Sequence, residues 1–262
     1  MTEQRSAAPS RSLTVSVVIP VKDDADALGC CLRALSLQTK APDEVIVVDN
    51  GSEDESAQVA ADAGATVVRC EAPGIPAASA CGYDRATTDI VLRLDADCVP
   101  GSGWVQIMRQ AFAAEPHVAV FTGGARFVDG PRMLRTPLAA AYLGSYVLAG
   151  VAALGHLPVF GSNMGFRRAA WQRVRAAVHL DATLHDDFDL AFHLGDSHRI
   201  RYVRKAEMGM SMRPFGDVRR FACRIRRGFA TVLVHWPRDF PPIRWQRLLM
   251  LRAASGLRGR FR

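Results

Sequence analysis

Two carboxylates that lie two residues apart follow directly after an apolar run. Asp95 and Asp97 follow the apolar residues 90–92. In a β-strand, residues i and i+2 point to the same face, and open α/β sheets bind ligands at the carboxyl ends of their strands. Carboxylate oxygens suit Mg²⁺ or Mn²⁺, which fill their remaining positions with phosphate oxygens and water. The pair therefore predicts a divalent-metal site for a phosphorylated ligand, with a solvated strand-end turn as the alternative.

Strand and helix patterns alternate through the first half of the chain. The β-branched run at 13–19 predicts a strand, and apolar residues recur at helical spacing over 24–38. The same alternation continues with strands at 44–48 and 65–68 and helices at 53–63 and 76–87. Repeated βα units predict an α/β fold with a mostly parallel central sheet and helices on both faces. We expect the functional groups along the carboxyl edge of this sheet.

The second half has a less regular pattern. A helix is predicted over 103–114 and a strand over 118–121, before an apolar stretch at 138–157 that is long enough to cross a membrane. A single crossing would place the two aspartates and the acids at 186–189 on opposite sides of the bilayer. The many small residues of this stretch also favour close packing or an interfacial position. We therefore do not favour a span, and leave open whether residues 138–157 are buried, interfacial or membrane-inserted.

The composition is that of an ordinary globular protein, with 49% hydrophobic and 23% charged residues. Residues 1–12 are polar and small and lack the apolar segment of a signal peptide, so they predict a disordered tail on a cytoplasmic protein. Six cysteines form no C-x-x-C pair, which indicates free thiols in a reducing compartment.

The positive charge is concentrated at the C-terminus. From Arg219 onward there are twelve arginines and one acid, Asp239, so this part has a net charge of +11, whereas the net charge of the whole chain is +7. Aromatic and leucine side chains accompany the arginines, which predicts a basic amphipathic segment over 216–262 that lies on an anionic membrane surface. The alternative is a solvated basic helix pair packed on the core. No nucleic-acid-binding motif accompanies the charge, so we expect no nucleic acid partner.

Five segments, taken in order, resemble the motifs of family 2 glycosyltransferases with the GT-A fold. The resemblance covers about residues 14–215, and the five segments are Val17-Val18-Ile19-Pro20-Val21-Lys22-Asp23-Asp24, Val47-Val48-Asp49-Asn50-Gly51-Ser52, Leu94-Asp95-Ala96-Asp97, Gly161-Ser162-Asn163-Met164-Gly165-Phe166-Arg167-Arg168 and His185-Asp186-Asp187-Phe188-Asp189-Leu190. Each motif alone is weak, but five in this order are specific. The resemblance implies a GT-A, Rossmann-like sheet followed by a helical basic C-terminal extension.

The resemblance also implies a donor site for a nucleotide-diphosphate sugar. Asp97 would hold Mg²⁺ or Mn²⁺ directly, and Asp95 would support the ribose or the metal shell. The predicted donor-binding residues are Pro20, Val21, Asp24, Asp49, Asn50, Gly51, Ser52, Gly74 and Asp95. Because a carboxylate pairs only with an N–H of a base, Asp49 favours a UDP-sugar, with a GDP- or dTDP-sugar possible. Taken alone, Asp49 to Ser52 would be a tight turn with a helix cap.

Catalysis and acceptor binding are implied by the last two motifs. Asp187 matches the family's catalytic base, which takes the proton of an acceptor hydroxyl on the face opposite the leaving group, and inversion at the anomeric carbon follows. The predicted acceptor-binding residues are Gly161, Ser162, Asn163, Met164 and Asp186. The alternative for Asp186, Asp187 and Asp189 is a set of first-turn acids that complement a helix dipole.

The chain departs from the family's pattern at three places. Where the family often has Arg-Asn, residues 78–82 read Ala-Ser-Ala-Cys-Gly, so a cation expected near the nucleotide is absent. Cys98 stands where another acid is frequent, and His193 stands where Arg is common. We expect His185 and His193 to be helix-surface or capping residues and not metal ligands.

The sequence thus predicts an inverting, metal-dependent glycosyltransferase, peripheral on the inner face of the cell membrane, with a glycan or lipid-linked acceptor. The predicted domain spans 13–215, with a nucleotide-sugar-binding half (13–100) and an acceptor-binding half (101–215), and the basic segment follows at 216–262. Two alternatives remain: an inactive GT-A scaffold at the membrane, which intact Asp97 and Asp187 disfavour, and a sugar nucleotidyltransferase, which would need a Gly-rich basic loop after the first strand.

Overall fold

The computed structural model describes residues 12–213 and 218–259. The predicted disordered tail lies outside the described residues except for Ser12, and so does the boundary predicted at 215 and 216. The strands are β1 (Val15–Val21), β2 (Glu44–Asp49), β3 (Thr66–Arg69), β4 (Ile90–Arg93), β5 (Val99–Pro100), β6 (Val120–Phe127), β7 (Met164–Arg167) and β8 (Ile200–Met210). The helices are α1 (Ala25–Ser36), α2 (Ser56–Asp62), α3 (Ile75–Arg85), α4 (Trp104–Ala114), α5 (Arg132–Leu154), α6 (Arg168–Val174), α7 (Asp186–Ser197), α8 (Val218–Val234) and α9 (Pro241–Gly259).

The strands form one sheet in the order β3-β2-β1-β4-β7-β6-β8-β5. The first four are mutually parallel, as are β6 and β8, whereas β7 is antiparallel to both of its neighbours and β5 to β8. This arrangement confirms the predicted α/β class with a mostly parallel sheet.

The central strand β1 is buried along its whole length because helices cover both faces of the sheet. Val17 and Ile19 pack in the cluster that contains the buried residues of α1, α2 and α4. Val18 belongs to the opposite cluster, with α3, α6 and α7. Alternate side chains of a strand point to opposite faces, so a strand buried on both faces has a continuous apolar sequence.

The sheet opens at the carboxyl ends of β1 and β4. The register between these strands runs from Val15–Ile90 to Val18–Arg93 and ends there. Pro20 and Asp95 lie beyond the last residue pair, where β1 and the chain after β4 no longer form a ladder of hydrogen bonds. The opening creates the cleft in which ligands of open α/β sheets bind.

Strand β7 was not predicted, and β6 begins and ends later than the predicted strand at 118–121. β7 is only four residues long, and its sequence, Met-Gly-Phe-Arg, carries no alternating pattern. Gly165 lies against the neighbouring strand so closely that an added Cβ would be 2.4 Å from a methyl group of Leu92. The insertion of β7 between β4 and β6 brings the short 3₁₀ turn Gly161–Asn163 beside the end of β4.

Helix α5 contains most of the predicted apolar stretch. By length and composition it could cross a membrane, with a mean hydropathy of 1.6 and 17% of its most apolar window buried. The chain folds back along it, since the hydroxyl of Tyr146 donates to the carbonyl of Val159 at 2.7 Å and Pro158 packs against Gly150. Its flanking strands β6 and β7 are paired. Both ends of α5 therefore return to one sheet, and its outer face stays exposed.

The basic C-terminal segment forms the helices α8 and α9, which pack on α7 and α5 respectively. Arg244 of α9 is fully buried and donates to the carbonyls of Leu154 and Phe192 and to the carboxylate of Asp239. The predicted helical extension is thus confirmed, and it is anchored to the core. All six cysteines are free thiols.

Candidate active site

A cleft of about 490 Å³ lies at the carboxyl ends of β1 and β4. Its floor is formed by strand ends and its walls by α5, the start of α7 and α8. Polar and charged side chains dominate where the walls converge: Lys22, Asp24, Asn50, Arg93, Asp95, Asp97, Ser162, His185, Asp186, Asp187, Arg213, Arg224 and Arg227. The cleft therefore gathers acids from three of the predicted motifs with five arginines or lysines.

Arg93 lies under the two groups of acids and bridges them. Its side chain is buried, and its Nη2 lies 2.7 Å from Asp95 Oδ1 and 3.2 Å from Asp186 Oδ2. Burial alone would lower the pKa of the guanidinium, but the charges of Asp186 and Asp95 outweigh it and hold the pKa well above its usual value. Arg93 is therefore a permanent cation that fixes the end of β4 against the start of α7.

Arg213 pairs with acids on the opposite side of the cleft. Its guanidinium donates to both oxygens of Asp24, at 2.9 and 2.6 Å, and its Nη2 lies 3.0 Å from Asp97 Oδ2. These hydrogen bonds raise the pKa of Arg213. Arg213 thus places a guanidinium in the cleft, although residues 78–82 carry no cation.

Asp95 and Asp97 fit a hard divalent cation. Ligand atoms of Asp95, Asp97 and Cys98 lie within 4.8 Å of one another. Burial raises the pKa of Asp97 and the charge of Asp95 raises it further, while Arg213 opposes the shift. Two crowded carboxylates of this kind are stabilised by a cation. Burial also raises the pKa of Cys98, so this residue stays a neutral thiol, and the carboxylates alone offer the oxygen ligands that Mg²⁺ or Mn²⁺ require.

Asp187 is a buried, ionised carboxylate at the first turn of α7. It is 4% exposed, and its Oδ2 accepts a hydrogen bond from the backbone N–H of Gly161 at 2.6 Å. His185 Nδ1 lies 2.5 Å from Oδ1, close enough for an ion pair although not aligned as a hydrogen bond. Burial raises the pKa of Asp187, but His185, Arg93 and the Gly161 N–H outweigh burial and lower it to about 2.

Gly161 is required by this contact. A Cβ at this position would lie 1.6 Å from Arg93 Nη1 and 2.8 Å from Asp187 Oδ2. The glycine therefore allows the backbone N–H to reach the carboxylate. Its role in the structure is to hold Asp187.

Asp186 has a different environment from that of its neighbour. Ser79 Oγ donates to its Oδ2 at 3.2 Å. Burial raises the pKa of Asp186, Arg93 opposes the shift and the charge of Asp187 adds to it, with a raised pKa as the result. Two adjacent carboxylates thus have pKa values shifted in opposite directions, which is the pattern expected where acid and base roles are divided.

The predicted donor residues are only partly in the cleft. Pro20, Val21, Asp24, Asn50 and Asp95 line it, whereas Asp49, Gly51, Ser52 and Gly74 are not among its lining residues.

Two of these side chains hold loops. Asp49 is buried and accepts the backbone N–H of Ser52 at 2.9 Å. Asn50 donates to the carbonyls of Cys70 and Ala72 and accepts the N–H of Gly74. Gly74 has φ +103 and lies against Ala182, so a side chain there would be strained and would clash.

The predicted acceptor segment contributes one side chain to the cleft besides Asp186. Ser162 lines it and its Oγ donates to Asp95 Oδ2 at 2.5 Å. Asn163 is fully buried, accepts from Trp104 Nε1 and donates to the carbonyls of Gly124 and Ala206. Met164 is buried in β7. The side chains of Asn163 and Met164 therefore support the fold, and we do not propose acceptor contacts for them.

Several functional groups of the cleft were missed by the sequence analysis. Arg93 could have been identified, because a charged residue within an apolar strand needs a buried partner. Arg224 reaches the cleft from α8, where it donates to the hydroxyl of Tyr142 on α5 at 2.6 Å. That contact joins residues 82 positions apart and leaves no local signal in the sequence.

The sheet and the cleft at its carboxyl edge define the class as a GT-A glycosyltransferase fold, and solved structures agree. Glucosyl-3-phosphoglycerate synthase of Mycobacterium tuberculosis, crystallised with Mn²⁺, UDP-glucose and phosphoglyceric acid, has a TM-score of 0.60 at 21% identity, covering 85% of this chain and 79% of that one. TarS of Staphylococcus aureus (residues 1–349) has a TM-score of 0.56 at 18% identity, covering 76% of this chain and 60% of that one.

The sequence model of Glycosyl transferase family 2 matches residues 16–175, which is more than half of the chain, so the protein belongs to that family. Glycosyltransferase AglE of Haloferax volcanii is 35% identical over 100 residues, 35% of this chain and 33% of that protein. The undecaprenyl-phosphate 4-deoxy-4-formamido-L-arabinose transferase of Pseudomonas fluorescens is 38% identical over 93 residues, 32% of this chain and 27% of that protein. The matches thus span about a third of these curated relatives.

Proposed function

We propose that this protein is a metal-dependent, inverting glycosyltransferase that moves a sugar from a nucleotide-diphosphate donor to a hydroxyl or phosphate acceptor. One observation carries the proposal: a single cleft holds Asp95 and Asp97 at the end of β4 together with Asp187 at the start of α7. The first pair suits a metal-bound diphosphate, and the second site suits a general base.

The donor side combines acids and cations in the way that a nucleotide diphosphate requires. Asp97 and Asp95 would hold Mg²⁺ or Mn²⁺, which when bound neutralises the charge that develops on the leaving diphosphate. Arg213 and Arg224 can contact phosphate oxygens through their guanidinium groups. The resemblance to a structure that contains Mn²⁺ and UDP-glucose supports a UDP-sugar as the first donor to test.

Asp187 would act on the acceptor. When the acceptor is a hydroxyl, its oxygen attacks the anomeric carbon, its proton passes to the carboxylate of Asp187, and the bond from that carbon to the diphosphate oxygen breaks with the electron pair leaving on the nucleotide. A phosphate acceptor attacks as an oxyanion and has no proton to transfer. A single displacement of this kind inverts the anomeric configuration. The Gly161 N–H and His185 position the carboxylate, and its lowered pKa means that Asp187 is ionised before the acceptor binds.

The acceptor is proposed to be a lipid-linked or cell-envelope glycan, reached from the inner face of the membrane. The name of the Pseudomonas fluorescens relative points to an undecaprenyl-phosphate substrate for that protein. In this chain α5, which has exposed apolar side chains, and the basic helix α8 border the cleft, and α9 packs on α5. Such surfaces suit a peripheral contact with an anionic bilayer.

Thermal shift with UDP-, GDP- and dTDP-sugars, each with and without Mn²⁺, tests the donor and the metal together. Ligand binding raises stability by mass action, by about 2.7 kcal/mol at a hundredfold excess over Kd. We expect a nucleotide-sugar to raise Tm more with Mn²⁺ than without it. Asp97→Asn should abolish this enhancement, whereas Asp62→Asn, at an exposed acid of α2, should retain it.

Equal enhancement by Mn²⁺ in the Asp97→Asn variant would overturn the assignment of the metal carboxylate. Transfer to a polyprenyl phosphate, followed by NMR of the anomeric proton, then identifies the stereochemical outcome. A product with retained configuration would contradict the single displacement.

A further inference from the structure

A second group of metal-ligating side chains lies outside the cleft. His179 precedes α7, Asp189 and His193 are one turn apart on α7, and His235 follows the last turn of α8. Their ligand atoms all lie within 4.8 Å of one another. None of the four lines the cleft described above.

The carboxylate of Asp189 is at the centre of the group. Asp189 is fully buried, and its Oδ1 lies 2.7 Å from His179 Nδ1 and 2.8 Å from His235 Nε2. Its Oδ2 accepts the backbone N–H of His179 at 2.9 Å and lies 3.6 Å from His193 Nε2. Three imidazoles thus converge on one carboxylate.

Hydrogen bonding does not account for the buried ring nitrogen of His193. Its Nε2 is buried and has no hydrogen-bond partner within the part of the chain that the structure describes. The side chain of His193 is 16% exposed, so it is only partly at the surface of α7. A buried imidazole nitrogen without a partner is costly, and a metal ion would supply the missing bond to its lone pair.

The rings are held in place by their surroundings. His235 stacks on Phe192, with ring centroids 4.0 Å apart and an interplanar angle of 16°. His179 meets His235 edge to face at 5.1 Å. Because packing fixes the rings, their nitrogens converge without a large loss of side-chain entropy on binding.

We propose that His179, His193, His235 and Asp189 form a structural zinc site. Zinc prefers four tetrahedral ligands, and three imidazoles with one carboxylate leave no open position for a water or substrate. A tetrahedral zinc holds its ligand atoms roughly 3.3 Å apart, and the distances from each imidazole to Asp189 run from 2.7 to 3.6 Å. An imidazole-rich set selects zinc over the Mg²⁺ or Mn²⁺ suited to the carboxylates of the cleft.

The zinc site would fix the C-terminal helices to the catalytic domain. His235 comes from the chain between α8 and α9, whereas the other three ligands belong to α7 and the loop before it. α8 places Arg224 and Arg227 in the cleft, and its Thr231 accepts the backbone N–H of His185 at 2.8 Å. The metal therefore holds the helix that completes one wall of the cleft.

Zinc binding by the full chain tests the proposal without any measurement of transfer. The metal-stripped protein is titrated with zinc in competition with a chromophoric chelator, and separately with Co²⁺, whose tetrahedral complexes absorb visible light. The variants are His193→Gln and His235→Gln. The controls are His117→Gln, at a histidine whose side chain is 80% exposed, and Asp97→Asn, which removes a carboxylate of the cleft.

We expect one zinc ion per chain and a tetrahedral Co²⁺ spectrum for the parent, for His117→Gln and for Asp97→Asn. Loss of an outer-shell partner typically weakens metal binding about 10- to 100-fold. Removal of a direct ligand should weaken zinc binding by more than this. Zinc should also slow tryptic cleavage within the arginine-rich α8 and α9 of the parent and have no such effect in His193→Gln. If His235→Gln does not fold, His179→Gln, at the half-exposed member of the site, replaces it.

The proposal is overturned if the parent binds zinc no more tightly than the folded ligand variants do. It is also overturned if Co²⁺ gives only an octahedral spectrum, or if zinc protection from trypsin is the same in the parent and in His193→Gln. None of these results depends on the identity of the sugar donor. The proposed zinc site can therefore be refuted while the proposed sugar transfer is supported, and the proposed transfer can be refuted while the zinc site is supported.

Discussion

Single residues set the chemistry of the cleft by balancing buried charges. Arg93 contacts Asp95 on one side and Asp186 on the other, so one cation stabilises both the proposed metal site and the proposed acceptor site. Asp187 depends instead on His185 and on the N–H of Gly161. This division leaves Asp187 ionised beside the cleft, while Asp186 is paired with Arg93.

Asp187→Asn should leave donor binding intact and lower the rate of transfer. The amide keeps the size of the side chain and can still accept the Gly161 N–H, but it cannot take a proton from the acceptor. We expect kcat to fall by roughly 10²–10⁴-fold, the usual effect of removing a general base. Steady-state kinetics and donor affinity by calorimetry measure the two effects separately.

Asp62→Asn serves as the matched control, because Asp62 is an exposed acid on α2 away from the cleft. A variant Asp187→Asn that transfers sugar at the parent rate would show that another carboxylate is the base. Asp186 would then be the next residue to test.

The sequence predicted the acids of the cleft better than it predicted the basic residues that pair with them. Asp24, Asp95, Asp97, Asp186 and Asp187 lie together in the cleft because each follows a strand or begins a helix, and such positions can be read from local pattern. Their partners come from distant parts of the chain, as the guanidinium that bridges Asp24 and Asp97 shows. Contacts of this kind depend on the tertiary fold and leave no local pattern.

Among the elements, α7 has the largest role. Its first turn carries Asp186 and Asp187 of the cleft together with Asp189 of the proposed zinc site, and its next turn carries His193. Residues three or four positions apart lie on the same face of a helix, so one short helix connects the cleft to the C-terminal segment. α9 is joined to α7 independently through Arg244, which donates to the carbonyl of Phe192 at 2.8 Å.

Arg244→Met should destabilise the protein strongly. The guanidinium is fully buried, lies 2.7 Å from Asp239 Oδ1 and 2.9 Å from Asp196 Oδ1, and sits 4.9 Å from the ring centre of Phe192. Removal of one partner of a buried ion pair typically costs about 3–5 kcal/mol when the other charge is left uncompensated. Arg247 also pairs with Asp239 and Asp196, so we expect a loss at the lower end of this range. Urea unfolding followed by circular dichroism measures the loss.

Arg238→Met, at an exposed arginine in the turn before α9, is the control and should change the free energy of unfolding by less than about 0.5 kcal/mol. If the two variants unfold at the same urea concentration, Arg244 does not anchor α9.

The sequence predicted elements with strong local patterns and missed those without one. β1, β2 and β4 are apolar runs, and α1 has buried residues at helical spacing, so these elements follow from hydrophobic pattern. β7 has four residues and no alternation, and its pairing with β4 and β6 depends on tertiary contacts. The sequence also gave no reason to expect that the basic segment would supply side chains to the cleft.

On the scale of the whole molecule, charge and apolar surface are concentrated around one side of the cleft. Residues from Arg219 onward carry a net +11 while the rest of the chain carries −4. Exposed apolar side chains occur on the same helices, among them Phe229, Leu233 and Leu249. A surface of this composition suits the interface of an anionic bilayer, where each basic residue contributes up to about 1 kcal/mol.

Removal of the whole segment would not test this contact, since Arg224 and Arg227 line the cleft and Arg244 is buried in the core. Substitution of exposed apolar residues is the sharper experiment. Phe229, Leu233 and Leu249 are 68%, 65% and 63% exposed, so their replacement by Gln should leave the fold intact.

The full chain should sediment with anionic vesicles, and less so as salt rises, because screening shortens the reach of the arginines to a Debye length of about 8 Å at physiological ionic strength. The triple variant Phe229→Gln, Leu233→Gln, Leu249→Gln should lose most of this binding, since each buried apolar side chain contributes about 1.5–3 kcal/mol. Leu37→Gln, at a leucine 75% exposed after α1, should bind as the parent does, because α1 covers the other face of the sheet. Equal sedimentation of the parent and the triple variant would contradict insertion of this apolar surface into the bilayer. If the parent does not bind anionic vesicles even at low salt, the basic helices face an acidic acceptor or a protein partner instead.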